Sequence, residues 1–322
     1  MNTRPLGRLW PVSALTIGGG GIGQVWGETS RAEAVATARA AVDGGITLLD
    51  LAPSYGDGEA ERVIGEAFGG RLPPGVRVTT KHGLGAPPGG EVYERLRTSL
   101  EGSLARMRLE RVDLFFLHNT LVPDPQPGRV LPPRATARSL FVEAVRPAFE
   151  RLVAEGTIGA WGLTGIGVPS ALIEAIGETP PPAVMQCIAN LLDSPGGLAR
   201  FDEPARPRAI IAAARARGVG VMGIRAVQAG ALTDALDRPL PDDHPEMADF
   251  HRAAPFRAVA AELGMSAAHL AHRYALSMAG VDTVVLGVKN RAELRDCLAA
   301  EAAGPLDAEL MTRIDGVVSR GG

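Results

Sequence analysis

Cysteine is almost missing from this chain. The two present, Cys187 and Cys297, stand in no C-x-x-C or metal-like spacing. That excludes a disulfide-stapled scaffold and points to a reduced, intracellular protein. No apolar run reaches the ~20 residues that a membrane-spanning helix needs. The N-terminal MNTRPLGRLWPVS lacks the apolar stretch of a signal peptide, so a soluble cytoplasmic protein is expected. Basic residues are not in excess either. With 33 Lys+Arg against 36 Asp+Glu, the net charge of −3 offers no footprint for nucleic acid and no polybasic membrane signal. An anionic cofactor would have to be held by a few local donors. His269 and His272 lie three apart in a helical pattern with no third metal ligand in view, and no G-x-S-x-G elbow is present. Neither metal nor nucleophilic catalysis is expected.

What the chain does have is 46% hydrophobic residues, 40 glycines and 25 prolines, enough for a core joined by many short connections. Residues 3–10 and 14–18 flank a bend at Pro11-Val12-Ser13 and read as a small hairpin leading into a first strand at 14–17. Short apolar runs then recur at 46–50, 76–80, 112–118, 158–163, 183–188, 219–224 and 281–286. Helical patterns separate them at 30–43, 58–69, 91–107, 138–155, 168–177, 206–217, 254–263, 266–279 and 290–301, and a last helix is expected at 306–319. Strands alternating with helices imply a parallel sheet. Eight such units in this length imply a closed (β/α)8 TIM barrel with a short N-terminal β-hairpin and an extra C-terminal helix, as one domain over 1–322. Three connections are long: 119–137, 189–205 and 225–253. They follow strands four, six and seven, so they share the C-terminal face. Their prolines (Pro123, Pro125, Pro127, Pro132, Pro133; Pro239, Pro241, Pro245) suit semi-rigid pocket walls, with tolerated insertion as the plain alternative.

The run Gly18-Gly19-Gly20-Gly21-Ile22-Gly23 matches G-x-G-x-x-G. The dinucleotide fingerprint, however, requires the glycines to open straight into a helix. Here the helix begins at Ser30, an N-cap with Glu33 three residues on. A loop whose backbone approaches a ligand closely is therefore expected, with a plain flexible loop after strand one as the alternative. An open Rossmann sheet is a weaker reading, because the strand count is eight and the helix starts late.

Chemistry gathers at the C-terminal ends of the early strands. Strand 46–50 ends in Asp50, and Tyr55 follows in a turn containing Pro53, Ser54, Gly56 and Gly58. The next run ends at Lys81, and the one after at His118. A phenol, with a pKa near ~10, is a poor acid at neutral pH, and an adjacent ammonium lowers that value. Asp50 would hold Lys81 in place. Taken singly, each residue has a bland reading: a structural ion pair for Asp50 and Lys81, an exposed loop aromatic for Tyr55, a satisfied histidine for His118. His82, on the opposite face of its strand, is given no role.

This constellation resembles the catalytic tetrad of the aldo-keto reductases, and the likeness covers nearly the whole chain. Glu61 and Gly65 match that family's Y-G-x-x-x-x-E-x-x-x-G pattern. The resemblance implies a carbonyl–alcohol oxidoreductase that uses NADP, with NAD possible, and a small-molecule carbonyl or alcohol as its partner. Asp50, Tyr55, Lys81 and His118 would be catalytic. Gly20, Gly21, Ile22 and Asp50 would lie against the cofactor. Thr164 and Gln186 would hold the nicotinamide carboxamide, with Asn190 matching the family's asparagine after that glutamine. Gly165 stands where the family has Asn, a departure shared in type with its sugar- and lactol-oxidising branches. Ile224 replaces a stacking Tyr. Arg225, Ala226 and Val227 replace Ser-Pro-Leu near the pyrophosphate, and Arg225 is read as a charge near phosphate or substrate, or else as a solvated loop charge. The segment from Gly287 through Lys289, Arg291 and Glu293 to Cys297 resembles the grip on the adenosine and its 2′-phosphate. Lys289 and Arg291 favour the phosphate, Glu293 repels it, and Cys297 replaces an adenine-contacting Asn. The same fold could instead serve a cofactor-binding sensor or regulatory subunit, which has less need of an intact tetrad.

Overall fold

The computed structural model describes residues 1–126, 128–199 and 201–318. Pro127, Arg200, the expected helix end at 319 and residues 320–322 lie outside the described residues. Two short strands, β1 (Thr3–Pro5) and β2 (Pro11–Ser13), pair antiparallel. Pro11–Ser13 is thus a strand and not a bend, and the turn lies at 6–10, where Leu9 N–H donates to Leu6 O. The barrel strands are β3 (Leu15–Gly18), β4 (Leu48–Asp50), β5 (Arg77–His82) and β6 (Val112–Leu117), followed, after a two-stranded aside, by the rest. That aside is β7 (Thr120–Val122) paired parallel to β8 (Ala135–Ala137). The remaining barrel strands are β9 (Ile158–Thr164), β10 (Val184–Ile188), β11 (Gly220–Ile224) and β12 (Thr283–Leu286). Among the described residues these eight parallel strands close in the order β3-β4-β5-β6-β9-β10-β11-β12.

Period-two alternation divides each strand between two cores. Leu48, Leu114, Phe116, Val184 and Met222 point into the barrel, where Leu6 and Val12 of the hairpin close its N-terminal end. Leu49, Val78, Phe115, Leu117, Met185 and Val221 point outward, under the helices. Gly162 is where Phe116 needs room: a Cβ there would lie 2.4 Å from the ring. The inward positions one step further along the strands form the next layer. Leu48 leads to Asp50, Thr79 to Lys81, Phe116 to His118, Gly162 to Thr164 and Val184 to Gln186. The layer at the mouth is polar because the strand ends are polar.

Ser30, Ser266, Asn290 and Asp307 cap their helices through their side chains. The expected 138–155 helix is not uniform, since a π-helical turn at Phe141–Val145 separates Arg138–Leu140 from Arg146–Ala154. The long connections are not bare loops. The first contains the β7–β8 pair, and the third contains the helix Pro245–Arg252. The glycine run is not a loop either: Gly18 ends β3, and Gly19–Ile22 forms one buried helical turn. None of the described helices is long and apolar enough to cross a membrane.

Candidate active site

Asp50 and Lys81 face each other inside the barrel mouth, 2% and 0% exposed. Lys81 Nζ donates to Asp50 Oδ1 at 2.8 Å and to Leu51 O at 2.7 Å. The same carboxylate oxygen accepts from Thr79 Oγ1 and from Gln186 Nε2, each at 2.7 Å. Three donors on one oxygen satisfy a charge that burial would otherwise make very costly. Register explains the meeting: β4 pairs with β5 so that Asp50 lies opposite Thr79, and Lys81 is the next inward position.

Tyr55 leans over this pair from the β4 loop. Lys81 Nζ is 5.0 Å from the centre of its ring, and its charge draws the pKa of the hydroxyl down. The His118 ring meets it edge-on, centroids 5.9 Å apart at 87°. His118 lies one residue beyond β6, yet its N–H continues the ladder to His82 O at 2.7 Å. The four side chains therefore converge on one rim. Their electrostatics differ in one respect from the simple expectation. Burial raises the Tyr55 pKa and outweighs the lowering by Lys81, so the net direction is upward from 10.0. Lys81 is also held above its ordinary value: burial pulls it down, but Asp50 and Tyr55 pull it up further. Burial, helped by the charges of Lys81 and Arg134, pushes His118 down to about 3 and keeps it neutral.

The other family-pattern residues have structural occupations. Glu61, fully buried, pairs with Arg106 at 2.6 Å and accepts from Thr80 Oγ1 at 2.6 Å. A Cβ on Gly65 would strike Arg106 O at 2.4 Å. Thr164 Oγ1 donates to Leu117 O at 3.1 Å. Gly165 leaves no space for a side chain, because a Cβ would lie 2.6 Å from Gln186 O. The glycines of the first turn are explained by the protein itself. A Cβ on Gly21 would lie 1.9 Å from Val288 O, and one on Gly20 would lie 2.5 Å from Trp26 Nε1. Ile22 is buried in the helix-side core.

Arg225 is not a solvated charge. Its side chain is 7% exposed and pairs with Glu246 at 2.8 Å. It also donates to Gln228 Oε1 at 2.9 Å. Gln228 reaches Asp249 at 2.7 Å and receives Asn190 Nδ2 at 3.0 Å. Arg225, Gln228 and Ala229 all have positive φ, at 60°, 46° and 51°, a strained loop held by this network. Ala226 is buried and Val227 half-buried beside it. The network is invisible in sequence because Glu246 and Asp249 lie some twenty residues away, in a stretch without a motif.

At the last strand, Gly287 is exposed. Lys289 Nζ is 2.5 Å from Asp237 and 3.4 Å from Glu293. Arg238, beside Asp237, lies over the Trp26 ring at 5.9 Å. Loop 225–253 thereby crosses to the β3 and β12 ends. Arg291 is exposed and pairs with Glu33 at 2.8 Å. Cys297 is turned into the helix layer, with Sγ 3.6 Å from His272 Nε2.

The Aldo/keto reductase family model matches residues 14–319. The chain is 25% identical to L-galactose dehydrogenase of Arabidopsis thaliana, over 95% of this chain and 91% of that protein. It is 34% identical to the aldo-keto reductase YhdN of Bacillus subtilis, over 34% of this chain and 35% of that one. Among solved structures it resembles the holo form of aldo-keto reductase AKR11C1 from Bacillus halodurans (TM-score 0.73, 21% identity, 100% and 97% of the two chains). It also resembles an aldo-keto reductase from Klebsiella pneumoniae in complex with NADPH (TM-score 0.68, 23% identity, 99% and 96%). A match that runs from the first barrel strand to the final helix places this chain in the aldo/keto reductase family.

Proposed function

We propose that the protein is a nicotinamide-dependent oxidoreductase that interconverts a carbonyl and an alcohol, with Tyr55 as the proton donor and acceptor. One observation carries this reading: a fully buried ammonium, fixed by Asp50, lies 5.0 Å from the centre of the Tyr55 ring. In reduction, Tyr55 Oη gives its proton to the substrate oxygen, and Lys81 stabilises the phenolate that remains. Asp50, tied down by Thr79 and Gln186, keeps Lys81 aimed. His118, neutral at working pH, donates an N–H to the same oxygen and orients it. Because burial holds Tyr55 protonated at neutral pH, reduction runs near neutrality and oxidation strengthens as pH rises.

When bound, the nicotinamide supplies or takes the hydride at the substrate carbon. Thr164 and Gln186 would hold its carboxamide, and Ile224 would pack on its ring. Gly20, Gly21 and Ile22 would border it, with Arg225, Ala226 and Val227 along the phosphates. Gly287, Lys289, Arg291, Glu293 and Cys297 would surround the adenosine. The donor set suits an anionic group, since Lys289 and Arg238 share the partly exposed carboxylate of Asp237, which a phosphate can replace. We favour NADP on the strength of Lys289; Glu293 and Glu33, already paired with Lys289 and Arg291, oppose it. A sugar or lactol substrate fits Gly165 and the likeness to L-galactose dehydrogenase.

The test is a panel of aldehydes and sugars run in both directions with each cofactor, on wild type and Tyr55→Phe. Turnover should fall at least ~10³-fold in the variant, while cofactor binding, read by fluorescence, persists. Retained turnover would overturn the role of Tyr55. Tighter binding of NADH than NADPH would overturn the cofactor preference.

A further inference from the structure

The cations around the barrel mouth are paired with carboxylates: Lys81 with Asp50, Arg225 with Glu246, Lys289 with Asp237 and Arg291 with Glu33. Arg129 on the 119–137 connection has no such partner, and neither does Arg134, which is exposed, with no carboxylate within ion-pair distance of it among the described residues. Its backbone is nonetheless fixed. Arg134 O accepts from Thr120 N at 2.9 Å, immediately before the β7–β8 pair begins, and Thr120 is two residues past His118. The same segment is stitched to the loop that follows Lys81. Thr136 Oγ1 donates to Gly85 O at 2.8 Å, and Asn119 Nδ2 bridges Thr136 and Gly85 at 2.8 and 3.2 Å. Arg134 is thus a guanidinium with no carboxylate partner among the described residues, on a backbone held between the loops that follow the Lys81 and His118 strands. Its charge reaches His118, where it acts after burial and Lys81 to keep the imidazole neutral. A recess of about 250 Å³ lies alongside, lined by Thr120, Val122, Pro132, Pro133, Arg134 and Ala135, with Arg134 its one charged residue.

An unpaired guanidinium on a fixed backbone at the mouth of a site is suited to a planar or tetrahedral anion, because its donors form a rigid fork. We propose that Arg134 selects the substrate: it receives a carboxylate or phosphate on a molecule whose carbonyl lies at Tyr55 and His118, so that anionic aldehydes are preferred over their neutral counterparts. This rests on the oxidoreductase reading of the same site.

Two matched pairs test it. Succinic semialdehyde and butanal differ by a carboxylate in place of a methyl; glyceraldehyde 3-phosphate and glyceraldehyde differ by a phosphate. Wild type should show a higher kcat/KM for the anionic member of at least one pair, and which pair tells carboxylate from phosphate. Arg134→Gln should lower that value about tenfold and change the neutral member far less; Arg134→Lys should recover part of it. Added salt should erode the preference in wild type. Equal loss for charged and neutral substrates, or no preference in wild type, overturns the proposal. Calorimetric titration with succinate and with inorganic phosphate keeps the two readings apart. If no substrate turns over but anion binding is lost in Arg134→Gln, the oxidoreductase reading fails and the anion site stands. If turnover is normal but neither anion binds in an Arg134-dependent way, the reverse holds.

Discussion

The two halves of the barrel rim are built in different ways. On the side of β4 to β6, strand ends supply the polar residues of the mouth. Asp50, Lys81 and His118 each occupy an inward position two residues past a packed one, so backbone pairing sets their separation. On the side of β11 and β12, the polar residues come from a loop with positive φ at Arg225 and Gln228 and from the helix Pro245–Arg252. Arg225, Gln228, Glu246 and Asp249 hold one another in a network that no strand dictates. The first half is rigid because the sheet is rigid. The second keeps its shape through side-chain pairing added to a few local turn bonds, so it is the more easily opened of the two.

The sharpest way to break this contrast is Lys81→Met. It leaves the Asp50 carboxylate buried with Thr79 and Gln186 as its remaining donors, and the whole fold should lose about 3–5 kcal/mol. Chemical denaturation monitored by circular dichroism measures it; a loss under ~1 kcal/mol would mean that the strand-built half is not integral to the fold. Glu246→Gln removes the charge opposite Arg225, and the cost should be smaller, about 1–3 kcal/mol. It should also be local. Limited proteolysis within 225–253 and weaker cofactor binding should report it before the denaturation midpoint moves. If the midpoint falls as far as in Lys81→Met, the two halves do not differ in the way described.

The smallest effect is acid sensitivity. His118 titrates near 6.5 when unfolded and about 3 when folded. Below 6.5 the unfolded chain therefore binds the extra proton, and stability present above that pH is lost progressively as pH falls toward about 3. His118→Asn, which cannot take up that proton, should flatten the stability–pH curve in that window. An unchanged slope would show that His118 is solvated in the folded state. The activity profile carries the matching sign: an acid limb between pH 5 and 7 is not expected from His118.

Much of the strand-built side of the rim is legible in the residues alone. Strand ends carry their chemistry in order, and the period of two makes the inward position countable from Leu48, Phe116 or Val184. The helix caps at Ser30 and Asn290 are equally local. Other features are hidden, each for a physical reason. Pro11–Ser13 reads as a bend because its pairing partner, Thr3–Pro5, contains a proline too, and both are edge strands, where proline is tolerated. The glycine run reads as a ligand loop, whereas the folded chain also crowds it with Val288 and Trp26, the first of them distant in sequence. Arg225 can pass for a solvated charge because its partner is twenty-one residues away.

By itself, then, the order of residues settled the barrel and the identity of the four groups at the mouth, because alternation and strand termini are short-range properties that each segment expresses alone. Only the folded chain decided which charges remain available there. Pairing between a loop arginine and a distant glutamate, or the absence of any such partner for Arg134 among the described residues, depends on how long connections cross the rim, and no local pattern encodes that path.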